Sequence, residues 1–330
     1  MNTMIKRIPI VFRPYFKQVI WGGDKICAYK RIPAPADHIG ESWEISAIPG
    51  HESTVAYGCY EGMTLSQLID AFGATLLGPD VMKMYNGRFP LLIKFIDATD
   101  DLSVQVHPDD RLAMERHGCR GKTEMWYIID STKDAKVFAG LRESMTPDEF
   151  TRRVADGSFS SFIAESHSGP GDSFFLPAGT VHAIGAGNML VEIQESSDIT
   201  YRIYDYDRCD AHGNRRELHT EPARDAIDFS VRDDYATPPP PAQIHDVRIA
   251  ECPYFTVRRI IICGDDTLSF DPRSFTVIIC VAGEAVITAP DGEVPIRQGE
   301  TVLCPAALHT VNVSGGATLL AVQTLSEQST

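Results

Sequence analysis

Strand-length apolar runs recur along this chain, while helical spacing is rare. Runs at 89–96, 124–129 and 189–194 are dense in Leu, Ile, Val and aromatic residues, and 256–262, 276–281 and 285–288 repeat the signal late in the chain. Two segments read as helix. Residues 64–72 space apolar positions three and four apart behind Thr64, and Thr146 precedes Pro147 at a first helical position, followed by early acids. A proline run at 238–241 supplies no amide donors and stiffens into a spacer, dividing 1–237 from 238–330. A weak repeat spans that boundary. Gly171, five residues, then Pro177 and Ala178 compare with Gly299, five residues, then Pro305 and Ala306, and each copy is soon followed by a histidine, His182 or His309. The pattern predicts a mainly β protein of two jelly-roll barrels with a few short helices.

Composition narrows the class. The chain has 330 residues, 43% hydrophobic and 23% charged, which suits two packed domains. A formal net charge of −15 argues against nucleic acid or an anionic membrane as partner, so an anionic ligand would need a local basic cluster. No apolar stretch approaches the roughly 20 residues of a membrane span. The N-terminal run at 8–12 is too short for a signal peptide. Eight scattered cysteines without a Cys-x-x-Cys pair read as reduced, mostly buried thiols of a cytoplasmic protein, and a zinc-thiolate site is not expected.

Candidate chemistry gathers between 91 and 208. Gln105 and His107 are two apart, so on a strand they leave one face. Glu124 opens an apolar run, and His182 follows the turn at 177–179. Two imidazoles, a carboxylate and an amide oxygen could hold Zn²⁺ with room for substrate oxygens. Alone, His107 before a proline reads as a turn residue and Glu124 as a solvated strand start. Gln105 stands where metal oxygenases of such barrels carry a second paired histidine, which favours a redox-silent ion. The C-terminal copy has no comparable set, so that part reads as structural and His309 as an ordinary histidine. A non-catalytic sugar-binding barrel and a metal-dependent oxygenase are the rival readings.

At these residues the chain resembles the type I mannose-6-phosphate isomerases in their short bacterial form. The matching stretches are 39–46, 90–97, 102–110, 121–127, 177–187 and 192–208. The resemblance implies a cupin fold, one zinc ion per chain, a sugar-phosphate substrate, and reversible interconversion of mannose 6-phosphate and fructose 6-phosphate through an enediol. It places the metal ligands on Gln105, His107, Glu124 and His182, and an active-site arginine on Arg202. Short members commonly use the two histidines and the glutamate alone. The large helical insert of longer members is missing or much reduced here.

The remaining candidates carry charge or a hydroxyl. Arg202 and Lys122 offer fixed positive charge for an enediolate or a phosphate. Lys94, set among apolar neighbours at 91–96, either snorkels to the rim or is held for an anion. Ser103 shares a face with Gln105 and is a phosphate or hydroxyl donor, or a plain strand serine. Asp198, four before Arg202, orients that arginine, acts as acid or base, or makes a structural ion pair. Glu41, Trp43 and Glu44 read as shaping the first barrel, with Trp43 in the core. The base stays open between a metal-activated hydroxide, the surroundings of His107, Lys122 and Asp198.

Overall fold

The computed structural model describes residues 4–209 and 213–324. Antiparallel strands dominate it, and the longest of its α-helices among the described residues, Pro147–Ala155, has nine residues. Both helices expected from the sequence form. Thr64 accepts from the Gln67 amide at 3.2 Å while Gln67 Oε1 accepts from the Thr64 amide at 2.9 Å, a reciprocal cap on Leu65–Phe72. Thr146 caps Pro147–Ala155 through the Glu149 amide at 3.2 Å.

Three sheets organise the chain. A seven-stranded sheet runs in the order Ala236–Thr237, Ser173–Leu176, Glu124–Ser131, Asn188–Glu195, Leu91–Asp97, Ile39–Ile45, Tyr15–Gly23. A five-stranded sheet runs Tyr201–Tyr204, Val104–Val106, His182–Ile184, Lys136–Leu141, Ile163–His167. These two face each other, and Trp126 meets His182 edge-on across the gap at 5.4 Å between ring centroids. The eight-stranded sheet holds the three long strands Thr256–Ser269, Thr276–Ala289 and Thr310–Gln323.

Period-two alternation explains why the central sheet is apolar on both sides. Along Leu91–Asp97, Leu91, Ile93 and Phe95 pack outward in one core with Phe255, Phe275, Val277 and Ile279 of the C-terminal sheet. Ile96 packs inward with Trp126, Ile128 and Ile184. Both faces are therefore covered, which is why the run reads as almost unbroken hydrophobic sequence. The five-stranded sheet turns Val104, Val106 and Tyr201 to a third core that Phe150 and Ala223 of the short helices complete.

Expectation and structure part at three points. The three sheets are open among the described residues, not closed barrels. One edge of the seven-stranded sheet is the two-residue strand Ala236–Thr237, and one edge of the five-stranded sheet is the four-residue Tyr201–Tyr204. The first strand, Ile10–Arg13, joins the C-terminal sheet beside Thr301–Cys304, with Ile10 opposite Leu303, so the ends of the chain interlock. Four cysteines, 27, 252, 280 and 304, are buried, but 59, 209 and 263 are exposed. No described helix is long and apolar enough to cross a membrane.

A buried ion pair of the first part also reaches the second, through a backbone carbonyl. Lys30 Nζ donates to Glu44 at 2.8 Å and also to the Gly299 carbonyl, with both charged side chains only 5% exposed. Ser42 donates to the same Glu44 oxygen at 2.5 Å. Removing one partner strands the other charge, so Glu44→Gln should lower unfolding stability by about 3 kcal/mol, read from urea midpoints. A shift within about 0.5 kcal/mol would mean that water already reaches the pair.

Candidate active site

Strand register assembles the site. Ser103, Gln105 and His107 alternate with Val104 and Val106, so burying the valines turns the polar set into the gap between sheets. Gln105 lies opposite Arg202 on one side and opposite His182 on the other. The facing sheet aligns Trp43, Lys94, Glu192 and Trp126 in one row across four strands. Glu124 shares that face, two residues before Trp126.

His107, Glu124 and His182 meet, each offering one ligand atom, with those atoms all within 4.8 Å of one another. Glu124 Oε1 is 3.3 Å from His182 Nε2, and Oε2 is 3.6 Å from His107 Nε2. Each ring is held from behind. His107 Nδ1 donates to the Ile199 carbonyl and His182 Nδ1 to the Thr180 carbonyl, both at 2.9 Å, which leaves each Nε2 as an acceptor beside the carboxylate, with Lys122 Nζ 3.0 Å from that of His107. Burial holds both imidazoles below their ordinary pKa, His107 further helped down by Lys122, so both stay neutral at pH 7.

The set fits a divalent cation. Both Glu124 oxygens are buried without a hydrogen-bond partner, and the Lys122 ammonium 2.8 Å from Oε2 forms an ion pair outside hydrogen-bond geometry. Two neutral imidazoles and an orphaned carboxylate are a donor set for zinc or a similar ion. Gln105 reaches the same spot with its amide nitrogen, 3.2 Å from His182 Nε2.

Beside these ligands lies a cavity of about 220 Å³. Lys94, Ser103, Gln105, Lys122, Asp198 and Arg202 all line it. Lys94 donates to Glu192 at 2.7 Å, and Trp126 Nε1 donates to the other Glu192 oxygen at 3.2 Å. Burial opposes the charge of both Lys94 and Glu192, but their mutual attraction outweighs it, raising the lysine pKa and holding the carboxyl below the ordinary range. A groove of about 950 Å³ runs alongside and meets the cavity at Asp198.

Comparison with known proteins gives this arrangement a family. Residues 10–141 match the phosphomannose isomerase type I catalytic domain, and residues 246–324 match the mannose-6-phosphate isomerase cupin domain. The mannose-6-phosphate isomerase ManA of Bacillus subtilis is 37% identical over 94% of this chain and 96% of its own length. The chain belongs to the type I phosphomannose isomerase family. A mannose-6-phosphate isomerase of Streptococcus mutans is 33% identical over 95% of this chain and 97% of its own. The crystal structure of the Bacillus subtilis mannose 6-phosphate isomerase superposes with a TM-score of 0.84 at 32% identity, covering 96% of this chain and 99% of that one.

In this phosphomannose isomerase family member, Asp198 is exposed, and no ion pair joins it to Arg202 among the described residues. Trp43 is buried as the sequence suggests, yet its edge still lines the cavity and its Nε1 donates to Glu41 at 2.6 Å. Sequence reasoning missed Lys17, Glu192 and Arg216, which line the same cavity. Glu192 had a signal, since a carboxylate within the apolar run 189–194 is as anomalous as Lys94 in its own run. Arg216 sits among polar residues at 213–217 and carries no such mark, whereas Lys17 lies in the aromatic and aliphatic run 15–21, where its charge was an overlooked signal.

One buried carboxyl beside the site titrates unusually. Glu195 accepts from the Thr123 amide at 2.9 Å, next to Glu124, and burial pushes its pKa up to about 8. Unfolded, it ionises near about 4.3. Its folded pKa is the higher, so its contribution to stability is complete below about 4.3 and is lost as pH rises through about 8. Stability of the native protein should therefore fall, relative to Glu195→Gln, between those two values. Parallel denaturation curves for the two proteins across that window would show instead that Glu195 is solvated.

Proposed function

We propose that this protein is a metal-dependent aldose–ketose isomerase interconverting mannose 6-phosphate and fructose 6-phosphate through an enediol, with zinc as its ion. The observation that carries the reading is the side-by-side placement of a neutral His–Glu–His donor set and a cavity walled by Lys17, Lys94, Lys122, Arg202 and Arg216. Family membership supports it, and favours turnover over a sugar-binding or oxygenase role.

His107, Glu124 and His182 would hold the ion, with Gln105 as a fourth donor once its amide turns its oxygen inward. When bound, the ion polarises the carbonyl and hydroxyl oxygens at C1 and C2 of the sugar. Lys122 holds positive charge where the enediolate oxygens develop, and Arg202 reinforces it from the opposite wall. Asp198 lies on the cavity wall with no cation engaging it among the described residues, and it moves the proton between C2 and C1. Ser103 and Arg202 receive the phosphate, and Lys94, its charge held by Glu192, is the lesser contact from the facing wall. With this reading go a cytoplasmic location, a catalytic cupin domain of jelly-roll type at 1–237, and a companion cupin domain at 238–330 without metal ligands.

The test is isomerisation of mannose 6-phosphate by purified protein, before and after chelation and again with zinc restored. Activity should vanish with the chelator and return with zinc. A folded, zinc-loaded protein that leaves mannose 6-phosphate unchanged overturns the reading. In the active enzyme, Arg202→Gln should lower kcat/KM by about 10²-fold or more, since it removes charge from a preorganised site.

A further inference from the structure

Positive charge in the cavity is unevenly matched. On the wall built around Leu91–Asp97, Lys94 meets Glu192 at 2.7 Å and Lys17 meets Glu41 at 3.6 Å. Cation and carboxylate are paired there one to one. On the opposite wall three arginines, 202, 208 and 216, gather near one buried carboxylate, Asp205. Arg208 donates to Asp205 Oδ1 at 2.6 Å, and Arg216 donates to Asp205 Oδ2 from Nε at 2.7 Å and to Oδ1 from Nη2. Asp100, largely exposed, gives Arg208 a second partner at 3.3 Å.

Arg202 receives no carboxylate among the described residues. Its Nε faces Ser103 Oγ at 3.4 Å and its Nη1 donates to the Glu217 carbonyl at 3.0 Å, both neutral acceptors. Burial lowers the Arg202 pKa, and the neighbouring Arg216 charge acts in the same direction. Arg216 is locked along its Nε–Nη2 edge by Asp205, which leaves Nη1 without a partner among the described residues. Both arginines line the cavity. Two guanidiniums thus face one cavity with too little negative charge to neutralise them.

We propose that Arg216, beside Arg202 and Ser103, seats the phosphate dianion of the substrate and makes the site select phosphorylated sugars. The inference rests on the isomerase reading for the sugar, and on charge and geometry alone for the anion. A guanidinium already oriented by a carboxylate loses little freedom when it binds, and its planar donors suit phosphate oxygens. The opposite wall lacks this excess, since each of its lysines already has a carboxylate.

Calorimetric binding of mannose 6-phosphate and of inorganic phosphate to the zinc-loaded protein tests the assignment. Arg216→Gln should weaken both by about 10- to 100-fold, the range for losing a charged hydrogen-bond donor, while circular dichroism and the melting temperature report that the fold persists. Arg216→Lys should recover part of the loss, because it restores charge without the fork. Affinities unchanged in Arg216→Gln overturn the proposal, and so does a native protein that binds neither anion. Should Arg216→Gln fail to fold, affinities in Arg216→Lys equal to the native ones overturn it, and a loss there supports it. Absent turnover with intact, Arg216-dependent anion binding would sink the isomerase reading and leave this one standing.

Discussion

A buried carboxylate between two imidazoles that must stay neutral is the constraint on which this molecule turns. Glu124 has no hydrogen-bond donor for either oxygen, and leaving an ionised carboxylate so placed is costly unless a cation meets it. The imidazoles cannot supply that charge, because burial depresses their pKa values and carbonyls of Ile199 and Thr180 claim their Nδ1 protons. Lys122 supplies part of it at 2.8 Å, and a divalent ion would supply the rest. Such a centre must be held rigidly, since a shift of a strand by one residue would turn each ligand out of the gap. Three ligands on separate antiparallel elements, with valines locking the opposite face of one, meet that demand.

The same sheets sort charge between the two walls of the cavity. Lys94 and Glu192 sit opposite each other in register, deep in the central sheet, where burial alone would neutralise either. Paired, both remain ionised and cancel at a distance. The arginine wall is built otherwise, with its cations carried on the edge strand Tyr201–Tyr204 and the segment after it, closer to water. Screening over about 10 Å confines each effect to its surroundings, so a chain of net charge −15 can still present a positive recess to an anion.

Much of this was legible from residue spacing. The alternation of Ser103, Gln105 and His107 with valines fixed a shared face, caps at Thr64 and Thr146 located helix starts, and Gly171 and Gly299 each preceded a strand. What escaped was information carried only by long-range pairing. Lys17 reaches the cavity because Tyr15–Gly23 pairs with Ile39–Ile45, and Arg216 because Asp205 pins it; the local sequence of Arg216 is that of a solvated cation. Open sheets rather than closed barrels, and the insertion of Ile10–Arg13 among C-terminal strands, likewise depend on which edges meet and not on what any strand contains.

That insertion bears on what the C-terminal part contributes. Its inner core, from Ile260 to Ala321, packs apolar side chains, His309 is exposed beside a turn, and the His–Glu–His group found among the described residues, His107, Glu124 and His182, lies outside it. Its other face covers Leu91, Ile93, Phe95, Met125 and Val191, the backs of the very strands whose fronts carry Lys94, Glu124 and Glu192. The Ala306 and Phe275 amides donate to Leu76 and Leu77 carbonyls, and Lys30 reaches the Gly299 carbonyl, so the contact is polar at its rim as well as apolar at its centre. Removing that cover would expose a contiguous apolar sheet face and loosen the strands that define the site. The second sheet therefore serves the chemistry without touching it, by making the central sheet stiff enough to hold an unsatisfied carboxylate in place.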